Sequence, residues 1–86
     1  MRVTVVVRPK VGILDPQGQA VESSLRHLGF RVGETRVGRV IDLDVHETDP
    51  GAARAAAERM CEQLLANPLI ESFEIELAIP DGGGNR

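Results

Sequence analysis

The chain has 86 residues, 42% of them hydrophobic, and its only aromatic residues are Phe30 and Phe73. One small domain fits that length, and folding at this size removes only roughly 60–65% of the unfolded chain's surface from water, so a core without large aromatic area points to association with another chain. Ten basic against thirteen acidic side chains give −3, which together with the missing Tyr and Trp argues against a nucleic-acid binder.

The first predicted element is a strand. Val3, Val5 and Val7 alternate with Arg2, Thr4, Val6 and Arg8, the period of a half-buried strand. Pro9, with no N–H to donate, ends its ladder. A loop through Gly12-Ile13-Leu14 leads to Asp15-Pro16, where Asp suits an N-cap and Pro the first helical position. The helix that follows presents Val21, Leu25 and Leu28 on one stripe and stops at Gly29. Gly18 in its first turn is a poor helix former and implies that something approaches the backbone closely there.

Arg31 to His46 reads as extended. Ile41, Leu43 and Val45 share one face, and Val40, Asp42 and Asp44 the other. Carrying that parity backward keeps Val37 on the apolar face but puts Arg39 there too. Either Gly38-Arg39 is a break or Arg39 is functional at the end of one long bent strand; the break is the preferred reading. A second helix starts at Asp49-Pro50-Gly51, with Ala53, Ala56 or Ala57, Met60 and Leu64 on its stripe, broadened by Cys61 and Leu65, and stops at Asn67-Pro68. The last strand alternates Phe73, Ile75, Leu77 and Ile79 with Glu74, Glu76 and Ala78. Residues 1–80 make one domain, and the glycine-rich 81–86 a flexible tail.

Two strand–helix–strand units emerge, 3–37 and 40–79, with Asp-Pro helix starts 34 residues apart. The pattern predicts an α+β two-layer sandwich: an antiparallel sheet of three long or four strands, two helices on one face, related to the ferredoxin-like fold. Residues 1–39 carry net +4 and residues 40–86 net −7. With the first strand in the middle of the sheet, Arg2 and Arg8 can meet Asp42, Asp44, Glu74 or Glu76 on the outer face, each pair contributing roughly 0.2–1 kcal/mol. Val6, Val40 and Ala78 leave that outer face partly apolar, as a sheet buried against another subunit would be.

No catalytic constellation is expected. Asp42 and Asp44 share a strand face without a pocket to separate their pKa values. His27 and His46 have no ligand at metal spacing. Cys61, on the apolar side of a helix, reads as a small buried hydrophobe, and as the only cysteine it makes no internal disulfide, which fits a reducing cytoplasm. No apolar run nears the roughly 18 residues that span a bilayer, and Met1 to Val7 is too short for a signal core. Gly82-Gly83-Gly84 lacks the Lys and Ser/Thr of a phosphate loop. Catalytic, metal and cofactor sites are therefore expected to be absent from this chain, as are nucleic-acid and membrane partners.

Three stretches carry a resemblance. Gly12-Ile13-Leu14-Asp15-Pro16-Gln17-Gly18-Gln19-Ala20, Arg36-Val37-Gly38-Arg39 and Met60-Cys61-Glu62-Gln63-Leu64-Leu65-Ala66-Asn67-Pro68-Leu69-Ile70-Glu71 resemble, in order, motifs of the PurS family, the small subunit of phosphoribosylformylglycinamidine synthase. They span nearly the whole chain. Arg39 stands where the family more often has Lys, and the Pro-Asp-Gly-Gly-Gly-Asn-Arg ending looks like a lineage-specific extension.

The resemblance implies a non-catalytic part in purine biosynthesis. The complex uses ATP, magnesium and glutamine; its PurQ subunit hydrolyses glutamine and its PurL subunit binds ATP and the ribonucleotide. The small subunit is a homodimer or homotetramer that bridges the two and aids ammonia transfer. The glutaminase cysteine belongs to PurQ, not to Cys61. Asp15, Pro16, Gly18, Arg36, Gly38 and Arg39 are the interface candidates: Gly18 lets a partner surface approach the helix start after Asp15-Pro16, and Arg36 and Arg39, around a flexible Gly38, project toward carboxylates of PurL or PurQ. A rival expectation from fold analogy is a stand-alone dimeric regulatory module binding a small effector.

Overall fold

The computed structural model describes residues 1–78. The chain runs through β1 (Arg2–Pro9), α1 (Pro16–His27), β2 (Arg39–Asp44), α2 (Pro50–Met60), a π-helical turn (Cys61–Leu65) and β3 (Glu71–Ala78). The sheet has three antiparallel strands in the order β2-β1-β3. The first strand therefore lies in the middle, where its Val-rich sequence is packed on both edges. Val5 stands opposite Ile41 on one side and Ile75 on the other, so the predicted alternation is in register across all three strands. Ile79 and the tail 81–86 lie outside the described residues.

Val3, Val5 and Val7 point to the inner face and are fully buried. Each contributes about 1.5–3 kcal/mol by leaving water. Ala53, Ala57 and Cys61 of α2 and the turn after it meet them. Small residues at i, i+4 and i+8 let that helix approach the sheet closely. Met60 and Leu64, predicted on the same stripe, are exposed, Leu64 at 82%. For Leu64 the reason is the π turn: Ala66 N–H donates to Cys61 O at 3.0 Å, an i to i+5 bond that adds a residue to the turn and carries Leu64 round to solvent; Met60, still in the regular helix, lies at the edge of the buried stripe at 37% exposure.

The segment predicted as extended from Arg31 becomes a strand only at Arg39, which is the break placed at Gly38-Arg39. Arg31 to Gly38 form no strand, so the sheet has three strands rather than four, and the internal duplication survives only in the two Asp-Pro helix starts. The helices pack unequally. α2 lies against β1 and β3, whereas α1 makes no comparable contact with any strand or with α2. Gly18 is the one buried residue of α1. Helix and return segment 29–38 form an arm that lengthens the molecule: its principal extents are 48 × 32 × 16 Å and its radius of gyration is 16.5 Å, against about 12 Å for a compact chain of this length. At the arm's tip Gly29, at φ +98°, makes the left-handed turn out of the helix.

On the outer face the charge pairing follows the register. Arg8 donates to Glu74 at 2.6 Å and the Thr4 hydroxyl to Asp42 at 2.9 Å. Arg2 stands opposite Asp44 and Ala78 without forming an ion pair among the described residues. Val6 is half-buried and Val40 is 62% exposed, so this face keeps apolar surface.

Candidate partner interface

All six sequence-derived candidates fall at the junction where the arm leaves the sheet. Asp15 caps α1 by position, with extended backbone, but its carboxylate does not bond the helix. Oδ2 accepts instead from Val37 N–H at 2.7 Å, pinning the return segment to the helix start. The matching Asp49 does cap its own helix, accepting from Ala52 N–H at 2.9 Å. Two identical Asp-Pro signals thus do different work, because only the first has a neighbouring strand of chain to hold. Pro16, next to it, is exposed.

Gly18 and Gly38 are close-approach glycines, and the approaching groups belong to this chain. A Cβ at Gly18 would collide with the Thr35 carbonyl, and one at Gly38 with the Val7 carbonyl. Both contacts are with backbone, which cannot swing aside. The first seats the return segment on α1, and the second brings it onto β1.

Arg39 has the parity of Ile41 and Leu43, the inner face. Its guanidinium forks onto Glu71 at 2.8 and 3.1 Å and also donates to Leu65 O. Leu65 ends the π turn, so the arginine satisfies a helix-terminal carbonyl where positive charge is favoured. Glu71 accepts in addition from Asn67 N–H at 2.7 Å. Hydrogen bonds from Arg39 and then from the Asn67 backbone hold the Glu71 carboxyl below the usual carboxylate range, against the opposing effect of burial. The same bond holds the Arg39 guanidinium more firmly in its charged form. One clamp therefore joins the start of β2, the end of the second helix and the start of β3.

Arg36 differs from Arg39. Its Nη1 donates to Pro9 O at 2.9 Å, and it makes no ion pair among the described residues. It lines a cleft of about 470 Å³ with Arg8, Glu34, Gly38, Arg39 and Val40. A smaller hollow of about 130 Å³ is also lined by Arg36, with Asp15, Glu34 and Thr35. Of the three charged candidates, Asp15 and Arg39 bond groups of their own chain through their charged atoms, while Arg36 is held only by the Pro9 carbonyl among the described residues. The partners that sequence reasoning missed are Thr35, Leu65 and Glu71. Their signals were indirect: Gly18 announces an approach without naming Thr35, and the inward parity of Arg39 implies a polar partner without naming Leu65 or Glu71.

The remaining polar residues do not converge. His46 lies 3.9 Å from Asp44 at an exposed strand end, and His27 sits in the last turn of α1. Cys61 is fully buried, and burial first, then Glu62 and Glu58, pushes its thiol above the ordinary value, which keeps it protonated and unreactive. Among the described residues no three His, Cys, Asp or Glu side chains gather to hold a metal ion, and no helix is long and apolar enough to cross a membrane.

Comparison with known proteins agrees with the motifs. The family model for PurS, phosphoribosylformylglycinamidine (FGAM) synthase, matches residues 2–79. The PurS subunit of phosphoribosylformylglycinamidine synthase from Synechocystis sp. is 40% identical over 82 residues, 94% of this chain and 80% of that one. The crystal structure of Methanocaldococcus jannaschii PurS, a subunit of formylglycinamide ribonucleotide amidotransferase in the purine biosynthetic pathway, superposes with a TM-score of 0.75 at 36% identity, covering 87% of this chain and 92% of that one. A chain of the Thermotoga maritima PurLQS structure gives a TM-score of 0.78 at 30% identity, covering 87% of this chain and 93% of that one. With the family model matched from the first strand to the last and relatives covered over most of their length, this chain belongs to the PurS family of phosphoribosylformylglycinamidine synthase subunits.

Proposed function

We propose that this chain is the non-catalytic assembly subunit of phosphoribosylformylglycinamidine synthase in purine biosynthesis. It self-associates as a homodimer or homotetramer in the cytoplasm and bridges a PurQ glutaminase subunit and a PurL ATP-dependent synthetase subunit. The observation that carries this reading is the likeness, over most of both chains, to a component of the Thermotoga PurLQS structure. The side-chain chemistry supports it: the one thiol is buried and protonated, and the two histidines sit on separate exposed elements. ATP, magnesium and glutamine are then used on the partner subunits, and this chain helps shelter ammonia between them.

Arg36 is the docking cation of the reading. Its charge faces the cleft beside Gly38 and Val40, where a partner carboxylate can form a forked pair. Co-purification with PurL and PurQ from the same source, with and without glutamine and Mg-ADP, tests the assembly role. The wild-type chain is expected to enter a three-component complex. The Arg36→Glu variant is expected to fold normally and to lose about tenfold or more in affinity for it, since a reversed charge faces the partner carboxylate. Absence of a complex under every condition would overturn the assignment, and unchanged binding by Arg36→Glu would overturn the role of that residue.

A further inference from the structure

We infer that Glu34 is a second docking charge beside Arg36. The cleft they share takes a loop of another synthase subunit that carries a cation for Glu34, a carboxylate for Arg36 and an apolar side chain between them. The inference rests on the assembly role proposed above and specifies the surface the partner brings.

The return segment places both charges. Thr35 and Val37 are half-buried, and their backbone is spent on the start of α1. The Thr35 carbonyl abuts Gly18, Thr35 N–H donates to Glu22 at 3.2 Å, and Val37 N–H donates to Asp15 at 2.7 Å. The alternate residues, Glu34 and Arg36, are exposed, and both line the 470 Å³ cleft. The ion-paired carboxylates among the described residues are Glu22, Asp44, Glu71 and Glu74. Glu34 is not one of them. Arg36 is held by the Pro9 carbonyl at 2.9 Å, and most of its guanidinium fork is open to a carboxylate.

The other arginines around the cleft are already matched, Arg8 by Glu74 at 2.6 Å and Arg39 by Glu71 at 2.8 Å. What the cleft presents is therefore one charge of each sign. A purely acidic partner would gain at Arg36 and be opposed at Glu34, whereas a partner with both signs satisfies both. Between them the floor is apolar: Val6 stands opposite Val40, which is 62% exposed. An apolar centre inside a charged rim is the anatomy of a protein–protein contact. Small-molecule sites are mostly apolar and enclose their ligand. Here the two charges stand on exposed residues, which suits a protein loop better than a free metabolite.

Capture of the full chain by PurL and PurQ, in the presence of glutamine and Mg-ADP, tests the sign of the effect. Glu34→Gln, at an exposed position, is expected to keep its circular dichroism spectrum and to weaken capture about threefold or more. A partner that is only acidic predicts the opposite, tighter capture. Exchanging the charges, Glu34→Arg with Arg36→Glu, preserves the net charge and is expected to weaken capture about tenfold or more. Glu47→Gln makes the same charge change at an exposed residue near the other end of β1 and is expected to bind as wild type does. Unchanged or tighter capture of Glu34→Gln, by subunits that capture wild-type chain, would overturn the inference and leave the assembly role standing. So would an equal loss on Glu47→Gln, wild-type capture of the exchanged chain, or a fall in self-association with capture unaltered. Calorimetric uptake of free glutamine by the isolated chain, abolished by Glu34→Gln, would assign the cleft to a small zwitterion and overturn it too. Failure of wild-type chain to enter any complex overturns the assembly role itself.

Discussion

Gly18 and Gly38 show how much a single missing Cβ fixes here. Each lies against a backbone carbonyl of its own chain, Thr35 and Val7, so a methyl group forces the return segment off the helix or off the sheet. Gly18→Ala and Gly38→Ala are each expected to lower stability by about 1–3 kcal/mol, the range for overpacking a site that cannot relax, as read by urea denaturation. Gly33→Ala is the control. Open space surrounds that position, and its substitution is expected to change stability by about 0.5 kcal/mol or less. Sequence alone pointed to a close approach at Gly18 but read Gly38 as a flexible break, and it assigned the approach at Gly18 to a partner rather than to Thr35, because a glycine records the space taken and not its occupant.

Arg39 and Glu71 add a pH signature. The folded protein holds the Glu71 carboxyl below its ordinary value, so between the folded and unfolded values the unfolded chain binds more protons. Stability then rises with pH across that window. The contribution is complete above an unfolded value of about 4.3 and is lost as pH falls through the lowered folded value. Glu71→Gln is expected to cost about 1 kcal/mol at neutral pH, the scale of a partly exposed, hydrogen-bonded pair, and to flatten the acid limb of the stability profile. Equal acid slopes in the two proteins would show that Glu71 does not set that limb. Parity had flagged Arg39 as misplaced on an apolar face. What it could not show was that the end of a helix lies over that face, offering Leu65 O and Glu71 to a cation.

At the scale of elements, the strands were legible and the helix faces were not. The three strands keep the alternation seen in sequence, because period two is set by the backbone and survives any partner. The second helix obeyed its period only to Cys61. A π turn then shifted the phase, and no residue type announces a π turn. Ala57 and Leu64, both read as candidates for one stripe, therefore have opposite fates. Ala57 is fully buried under the sheet and Leu64 is exposed. Ala57→Leu is expected to destabilise by about 1–3 kcal/mol through overpacking, whereas Leu64→Ala stays within about 0.5 kcal/mol. Thermal denaturation of the pair decides whether the phase shift is present in solution. The first helix followed its predicted bounds, yet it packs on no strand to the extent that the second helix packs on β1 and β3. Periodicity identifies which face of a helix is apolar and says nothing about which molecule covers it.

The whole molecule draws these features together. Its buried core consists of valines, alanines and one cysteine from β1, the residue just past β2, α2 and the turns after it, with α1 contributing no side chain to it. Such a core is small for a domain of this length, where net stability is a narrow difference between large terms. Much of the apolar sequence, including Val21, Leu28, Phe30 and Val40, lies on open surface. If other copies of the chain supply the missing cover, folding and association are linked, and stability depends on protein concentration. For a dimer that unfolds directly to two chains, raising the concentration a hundredfold adds about 2.7 kcal/mol per dimer. The urea midpoint is therefore expected to climb steadily between micromolar and hundred-micromolar chain. With Val21→Glu and Leu28→Glu in the arm the midpoint is expected to be lower and to lose that dependence, because the chain then folds, if marginally, alone. A wild-type midpoint that is independent of concentration would mean that the thin core suffices by itself, and that the exposed stripe is reserved for the other subunits of the synthase.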